Sequence, residues 1–411
     1  MVTLALLRAL ARRGLAVASA KAGPDYIDPR FHEAASGKPC INLDPWAMNP
    51  ELIRTLIGGI AEHPGLIVIE GVMGLFDGPE DGPATTAELA AMLNLPVILV
   101  IDCRHQSQSV AALVRGFASH RDDVRIAGII LNRVGSSRHE HLLRLALAPA
   151  GIPVLGVIGR EADLALPGRH LGLVQAVEHP DLTAFLDRAA DIVGAAVDID
   201  GLIGIAAPPA GLESGADRLP PLGQAIAVAS DAAFAFSYAH LLEGWRSQGA
   251  EIMPFSPLAD EAPSDNADAV FLPGGYPELH AGTLAANARF LGGVRDAATR
   301  GALVYGECGG FMVLGRYLTD AEGTRHKMAG LLEIGTSFAE RKLSLGYRSL
   351  SHWSALPFAR DLRGHEFHYS TLDWQGEGEP LFQAHDSGGR DLGRIGLRDG
   401  KVMGSYAHLI A

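Results

Sequence analysis

The segment Gly306-Glu307-Cys308-Gly309-Gly310 constrains the fold of this chain more than any other. The apolar run at 302–305 predicts a buried strand before it, and the apolar residues from Phe311 onward predict a helix after it. Cys308 is therefore expected on a sharp strand-to-helix turn, which is the geometry of a nucleophile elbow. The glycines let the backbone turn and approach a substrate closely, and the start of the helix is expected to favour the thiolate over the thiol.

A nucleophilic cysteine needs a base, and the chain offers His408 near its end. A strand that leads into the Pro-Gly-Gly turn at 273–275 would leave backbone N–H groups pointing outward. The N–H groups of Gly275 and Gly309 are thus candidates for an oxyanion hole. The alternative is that Cys308 is a buried small hydrophobe, the common fate of a free cysteine, but the glycines on both sides favour the nucleophile.

Residues 223–411 resemble the glutamine amidotransferase domain of the triad class. The resemblance rests on three features in chain order: the strand before the Pro-Gly-Gly turn, the strand before Cys308, and the late His408. The resemblance implies that Cys308 attacks the side-chain amide of glutamine and releases ammonia. Triads of this class end in His-x-Glu, whereas the residue two positions after His408 is Ile410. We therefore expect a Cys–His dyad.

The first half of the chain alternates between strand-like and helix-like segments, which predicts a mostly parallel, doubly wound α/β sheet. Leucines at helical spacing near the N-terminus, with arginines inside the apolar stretch, predict an amphipathic helix and exclude a signal peptide. A stretch rich in proline and small residues predicts a linker, so the expected domains are 1–199 and 223–411, joined by 200–222. The expected strands lie at 15–20, 66–72, 96–101, 126–131 and 153–158, with helix-like segments at 88–93 and 110–118.

Polar residues follow two of these strands, at the edge where ligands of doubly wound sheets bind. The carboxylates of Asp25 and Glu70 suit Mg²⁺, which keeps several waters and takes few protein oxygens, and Lys21 suits phosphate oxygens. Asp and Gly are also common turn residues, so a structural role for either segment is the alternative. The candidate nucleotide- or substrate-binding residues here are Lys21, Asp25, Tyr26, Asp28 and Asp77.

Motifs along nearly the whole chain resemble the cobyrinic acid (hydrogenobyrinic acid) a,c-diamide synthase family. That family joins an ATP-using, P-loop-NTPase-like domain similar to dethiobiotin synthetase to a glutaminase domain. The sister family of cobyric acid synthases lacks the GPDYIDP signature. The matching segments are KAGPDYIDP (21–29), EGVMGLFDG (70–78), LPGRHLGL (166–173), DAAFAFSY (231–238), LPGGYPELH (272–280), YGECGGFMVLG (305–315) and GHEFHYS (364–370).

The resemblance implies that the a and c acetate side chains of cobyrinic or hydrogenobyrinic acid are amidated, with glutamine and ATP as cosubstrates and Mg²⁺ as cofactor. Asn132 resembles the adenine-binding Asn of dethiobiotin-synthetase-like folds, with a turn-capping role as the alternative. A related tetrapyrrole such as nickel sirohydrochlorin is an alternative substrate.

The residues His365, His368 and Tyr369 lack the spacing of a zinc site. We expect them on a strand near the domain interface, against the corrin. His170 is a similar candidate.

One departure from the family concerns its P-loop. Family members begin with a strand and a G-x-G-K-T loop before the helix that here starts at Val2, and this sequence contains no such loop. We expect the native protein to carry roughly 10–20 more residues, the span of one strand and a P-loop. The alternative is a degenerate chain that retains the glutaminase alone.

Charge and cysteine content limit the classes of binding partner and indicate the cellular compartment. A net charge of −13 argues against nucleic acid or an anionic membrane as a partner, since both bind basic surfaces. The three cysteines, Cys40, Cys103 and Cys308, lie far apart and without metal-ligand spacing, which predicts a reducing cytoplasm.

Overall fold

The structure, a computed structural model, describes residues 1–61, 65–80, 82, 84–161, 164, 168–169, 172–212 and 215–411. It divides into two compact units, Met1–Gly78 with Pro83–Ala216 and Asp217–Ala411 with Pro79–Gly82. The division falls within the stretch 200–222, and the helix Ile199–Ile205 occupies the beginning of that stretch. The assignment of 200–222 to a linker stays a prediction. In the described part of the chain, no helix combines the length and the apolar character needed to cross a lipid bilayer.

The first unit alternates strands with helices along the chain, as expected. Its helices are α1 (Val2–Arg12), α2 (Asp28–Ser36), α3 (Pro50–Ala61), α4 (Thr86–Met92), α5 (Val110–Ser119), α6 (Ser137–Leu147), α7 (Leu182–Ala196) and α8 (Ile199–Ile205). Its strands are β1 (Val17–Ala22), β2 (Cys40–Leu43), β3 (Leu66–Glu70), β4 (Val97–Asp102), β5 (Ile126–Val134), β6 (Val154–Gly159), β7 (Gly168–Arg169) and β8 (Gly172–Leu173).

The main strands of this unit form two parallel sheets, in the orders β2-β1-β3 and β4-β5-β6. Strand β2 was missing from the expected set, because its short run Cys40-Ile41-Asn42-Leu43 carries a polar residue inside it. As a result, Asp25 and Glu70 do not follow successive strands of the chain, although β1 and β3 are neighbours in the sheet. In the part of the chain that the structure describes, β3 and β4 are edge strands, and Val100 on β4 is 45% exposed.

The amphipathic helix α1 was correctly expected from its leucines. Leu4, Leu7 and Leu10 are buried and hold the helix against the rest of the unit, while its arginines lie toward solvent. Arg8 Nε donates to Asp187 Oδ1 on α7 at 2.7 Å. A leucine stripe buried against neighbouring helices stabilises α1 far more than this half-exposed ion pair, which contributes at most about 1 kcal/mol.

The second unit carries helices α9 (Ala239–Ser247), α10 (Ala281–Ala286), α11 (Ala288–Thr299) and α12 (Gly309–Leu314). Its strands are β9 (Ala225–Ala229), β10 (Glu251–Phe255), β11 (Ala269–Leu272), β12 (Leu303–Glu307), β13 (Tyr317–Thr319), β14 (Arg325–Lys327), β15 (Ile334–Ser337), β16 (Ser344–His352), β17 (Asp361–His368), β18 (Thr371–Gln375), β19 (Phe382–His385), β20 (Asp391–Ile395), β21 (Leu397–Asp399), β22 (Val402–Ser405) and β23 (His408–Leu409).

Within residues 217–411, all of which are described, the central sheet has the order β10-β9-β11-β12-β22-β21 and is parallel except at β21. A separate antiparallel sheet has the order β20-β19-β16-β17-β23. Strands β11 and β12 are buried at every residue, which explains the unbroken apolar sequence of β11 and the apolar start of β12 before Gly306 and Glu307. Because β11, β12 and β22 are neighbours, the loops at their C-terminal ends meet at one place.

Candidate active site

Cys308 occupies the turn between β12 and α12 and has φ 47° and ψ −103°, a backbone conformation that residues with a side chain rarely adopt. Its backbone N–H donates to the carbonyl of Ser405 at 2.8 Å, and its carbonyl accepts from Met312 at 3.1 Å. Such strain persists only where the surroundings impose it, and it is typical of functional sites. The structure thus has the nucleophile elbow that the sequence predicts.

The glycines around Cys308 are required by close packing. A Cβ on Gly310 would lie 1.9 Å from the carbonyl oxygen of Leu272 on β11, and a Cβ on Gly306 would lie 2.8 Å from the backbone of Gly310. Neither glycine has a positive φ. Their role is to let α12 approach the sheet, which sets the position of the cysteine.

His408 lies beside Cys308, with Gly274 between them. A Cβ on Gly274 would lie 2.9 Å from Nε2 of His408 and 3.2 Å from Cβ of Cys308, so both side chains border one small space. His408 is held on β23, whose partner strand β17 places His365 directly opposite it. The tertiary structure therefore brings the two predicted catalytic residues together, although their catalytic roles stay a prediction.

The two expected oxyanion donors are also close together. A Cβ on Gly309 would lie 3.1 Å from the backbone nitrogen of Gly275 and 2.8 Å from Pro277. Gly275 is itself covered by Ala233, whose carbonyl oxygen lies 2.1 Å from where a Gly275 Cβ would be. The segment 231–238 thus supports the Pro-Gly-Gly turn, and Gly275 and Gly309 remain the proposed donors.

The expectation that the helix start favours the thiolate was wrong. Burial raises the pKa of the Cys308 thiol far above its ordinary value, and the nearby carboxylate of Glu278 raises it further. The Gly309 N–H acts in the opposite direction but does not compensate. Helix α12 has six residues, and Cys308 is 1% exposed, so loss of hydration outweighs the short helix.

His408 is neutral in the resting site. Burial lowers its pKa to about 3, and the nearby imidazoles of His365 and His368 lower it further. A hydrogen bond with the Phe236 backbone acts in the opposite direction. A buried neutral imidazole beside a neutral thiol can accept the thiol proton at the moment of attack, so the predicted roles of base and nucleophile require no stored ion pair.

Two further groups near the cysteine were not assigned from the sequence. Arg348 and Glu366 form an ion pair with Nη2 and Oε2 2.7 Å apart, and their side chains are only 12% and 11% exposed. Tyr406 shares a hydrogen bond of 2.8 Å with Ser370, and its ring stacks on His368 at 3.9 Å. Their long sequence separations explain why no local pattern indicated them.

The structure places His365 and His368 on β17 and Tyr369 directly after it, which agrees with the expected strand, but both histidines are buried. His365 faces Tyr347, with ring centroids 5.3 Å apart, and Nδ1 of His368 donates to the Ser370 carbonyl at 3.0 Å. Their expected contact with a corrin stays a prediction. His170 lies outside the described residues.

In the first unit, the candidate Lys21 is buried and paired. Its Nζ lies 2.7 Å from Asp28 Oδ2 and 3.2 Å from Glu70 Oε2. His32 donates from Nε2 to Glu70 Oε2 at 2.7 Å, and these partners hold the pKa of Glu70 well below its usual range despite burial. Nδ1 of His32 lies 3.5 Å from Sγ of Cys40. Three predicted residues are thus in one charged cluster at the end of β1.

The remaining candidates of the first unit also shape their own loops. Asp25 Oδ1 accepts from the backbone N–H groups of Ile27 and Asp28, and burial raises the pKa of Asp25. Asp77 Oδ2 accepts from Gly74 N–H at 2.9 Å, and Asn132 Oδ1 accepts from Arg133 N–H at 2.9 Å. Such turn contacts are the alternative that the sequence left open.

Tyr26, another candidate of the first unit, is buried beside the Asp25 loop.

Among the described residues, no group of three or more His, Cys, Asp or Glu side chains is arranged to hold a metal ion. A Mg²⁺ ion that keeps most of its waters requires fewer protein ligands, and the carboxylates of Asp25 and Glu70 are of the type it prefers. Their assignment to Mg²⁺ therefore stays a prediction.

Comparisons with known proteins cover both units. Residues 1–174 match the family model of the CobQ/CobB/MinD/ParA nucleotide binding domain, and residues 225–411 match that of the CobB/CobQ-like glutamine amidotransferase domain. These matches confirm the predicted fold class, a nucleotide-binding α/β domain followed by an amidotransferase domain.

Curated relatives match over the full length of the chain. A protein of Brucella anthropi named hydrogenobyrinate a,c-diamide synthase is 58% identical over 412 residues, which cover 100% of this chain and 94% of that protein. Proteins of the same name from Rhizobium meliloti and Mesorhizobium japonicum are 57% and 50% identical, and each match covers 100% of this chain and 95% of the relative.

Proposed function

This chain belongs to the hydrogenobyrinate a,c-diamide synthase family, and from that membership we propose that it amidates the a and c acetate side chains of hydrogenobyrinic acid in cobalamin biosynthesis. Glutamine supplies the nitrogen and ATP supplies the free energy. The enzyme is a glutamine-dependent, amide-forming ligase. The relatives' name favours the metal-free ring over cobyrinic acid and over other tetrapyrroles such as nickel sirohydrochlorin.

The glutaminase half-reaction follows from the second unit. The thiol proton of Cys308 passes to Nε2 of His408 while the sulfur attacks the side-chain amide carbon of glutamine. The N–H groups of Gly275 and Gly309 hold the oxygen of the tetrahedral adduct. The leaving nitrogen takes the proton from His408 and departs as ammonia, and water then hydrolyses the thioester to glutamate.

The synthetase half-reaction belongs to the first unit. An unactivated carboxylate does not react usefully with ammonia, so ATP must first phosphorylate it. We assign Lys21, Asp25, Tyr26, Asp28, Asp77 and Asn132 to nucleotide or substrate binding and Asp25 and Glu70 to Mg²⁺, which would offset phosphate charge there. Their support is the charged cluster at the end of β1, the edge at which doubly wound sheets bind ligands.

The observation that carries the proposal is the placement of His408 beside Cys308 at a strained elbow, in a chain of this family. The test is to incubate the chain with hydrogenobyrinic acid, Mg·ATP and glutamine, and to detect diamide by mass spectrometry and glutamate by a coupled assay. Cobyrinic acid and nickel sirohydrochlorin serve as competing substrates. Faster amidation of either competitor, or no amidation of any of the three, would overturn the substrate assignment.

A further inference from the structure

The side chain of Glu307, the residue directly before the nucleophile, points toward the catalytic base. Its Oε2 lies 3.8 Å from Nδ1 of His408, and both side chains are almost completely buried, at 3% and 1% exposure. The other oxygen, Oε1, accepts from the backbone N–H of Leu409 at 3.0 Å. One carboxyl group therefore contacts the base residue and anchors the strand that carries it.

We propose that Glu307 completes a Cys308–His408–Glu307 triad by orienting the imidazole of His408 and stabilising its charged form. This inference deepens the proposed glutaminase activity and rests on it. Triads of the amidotransferase class take their acid from the position two residues after the histidine, and here a buried apolar residue, Ile410, occupies that position. The carboxyl group is supplied instead by the strand that ends at the nucleophile.

The chemistry needs a group at this place. When the thiol proton reaches Nε2 of His408, the ring becomes a cation in a buried site, near His365 and His368. A carboxylate whose Oε2 lies 3.8 Å from Nδ1 offsets that charge and favours the tautomer protonated on Nδ1, in which Nε2 can accept a proton. Glu307 transfers no atom to the substrate and is a positioning residue.

The surroundings of Glu307 shift the ionisation of its carboxyl group to alkaline pH. Burial raises its pKa to about 8, with the Leu409 N–H and Tyr305 acting in the opposite direction. The rate of glutamine hydrolysis is therefore expected to rise as Glu307 loses its proton. The other titratable groups that face His408 are Cys308, His365 and His368.

The discriminating variant is Glu307→Gln. It keeps an oxygen for Leu409 N–H but presents an amide NH₂ to Nδ1, which forces the hydrogen onto Nε2 and disables the base. We expect kcat for glutamate release to fall about 10²–10⁴-fold with little change in KM, as expected when a triad acid becomes an amide. The alkaline rise of the pH–rate profile should also change, while the thermal midpoint stays near that of the wild type.

Glu261→Gln is the matched control, because Glu261 also accepts a backbone N–H, that of Ser256 at 2.7 Å, outside this site. A Glu307→Gln variant with wild-type kcat would show that Glu307 only anchors Leu409 and would overturn the inference. If the variant does not fold, nitrogen-15 NMR of wild-type histidines at about pH 9 decides instead. Protonation of His408 on Nδ1 supports the triad, and protonation on Nε2 alone overturns it.

The wild-type assay separates this inference from the proposed function. If the wild-type chain releases no glutamate, the proposed glutaminase activity fails and the role of Glu307 fails with it. If the wild type is active and both variants are equally active, the proposed function stands and only the role of Glu307 is lost.

Discussion

A Cβ atom on Gly274 would lie 2.2 Å from Cε1 of His408, so the imidazole can occupy its position only because residue 274 has no side chain. Contacts under 3.0 Å with a Cβ are essentially never observed, so one of the two groups would have to move. The distance between His408 and Cys308 thus depends on a glycine in a different loop.

Gly274→Ala should displace the His408 ring and reduce glutamate release at least about 10²-fold, because a misplaced base costs that much even for shifts near 1 Å. The control is Gly282→Ala on α10, where a Cβ has its nearest neighbour at 3.6 Å. That change should leave activity intact and slightly stabilise the helix. Steady-state kinetics and thermal unfolding measure both, and an active Gly274→Ala enzyme would contradict the proposed site.

Cys308→Ala should abolish glutamine-dependent amidation and glutamate release, yet spare amidation driven by added ammonium. The two half-reactions use different sites, and only the first requires the sulfur. Product is measured by mass spectrometry with each nitrogen source. Glutamate release at the wild-type rate would exclude Cys308 as the nucleophile.

Asp25→Asn and Glu70→Gln should each weaken binding of Mg·ADP and slow synthesis with either nitrogen source, because losing a metal contact usually costs several kcal/mol of transition-state stabilisation. Isothermal titration with Mg·ADP gives the binding readout, and alkylation of Cys308 should be unchanged. Asp187→Asn, which removes a surface carboxylate paired with Arg8, is the control. Wild-type binding and ammonia-dependent rates in both variants would remove these residues from the site.

Acid should destabilise the second unit. Burial lowers the pKa of His240 and His368 to about 4 and of His365 and His408 to about 3. Below the ordinary histidine value of 6.5, the unfolded chain therefore binds protons that the folded chain does not, and the free energy of unfolding falls.

Glu307 acts in the opposite sense, because its raised pKa lets the folded state bind a proton first as the pH falls. The net loss between about pH 7.5 and about pH 5.5 is on the order of 3 kcal/mol. Urea unfolding followed by tryptophan fluorescence, to which the buried Trp245 of the second unit contributes, measures it. His368→Asn keeps a donor for the Ser370 carbonyl and should reduce the loss, whereas a pH-independent stability would contradict these assignments.

Part of this site was predictable because its signals are local. The strand, the turn and the helix around Cys308 depend on neighbouring residues, and the glycines beside the cysteine indicate the sharp turn directly in the sequence. The same holds for the leucine stripe of α1. His408 and the candidate residues of the first unit were proposed from their places near the chain end and at strand ends, although their contacts were not.

Other parts depended on residues far apart in the chain. The raised pKa of the Cys308 thiol results from burial, which a helix-start argument ignores, and the pairing of Lys21 with Glu70 requires β1 and β3 to be neighbours. Strand β2 was missed because its four residues carry no clear period. Glu307 was visible in the motif, yet nothing in its neighbourhood indicated that it faces His408.

By itself, then, the sequence determined the family, the α/β class of both domains and the strand–turn–helix around Cys308, since these depend on residue types and on short-range spacing. Only the tertiary structure decided the position of Gly274 against His408, the burial that keeps Cys308 and His408 neutral, and the approach of Glu307 to His408. The physical reason is that parallel strands place the ends of distant segments side by side, so distances and desolvation arise only when the sheet is assembled.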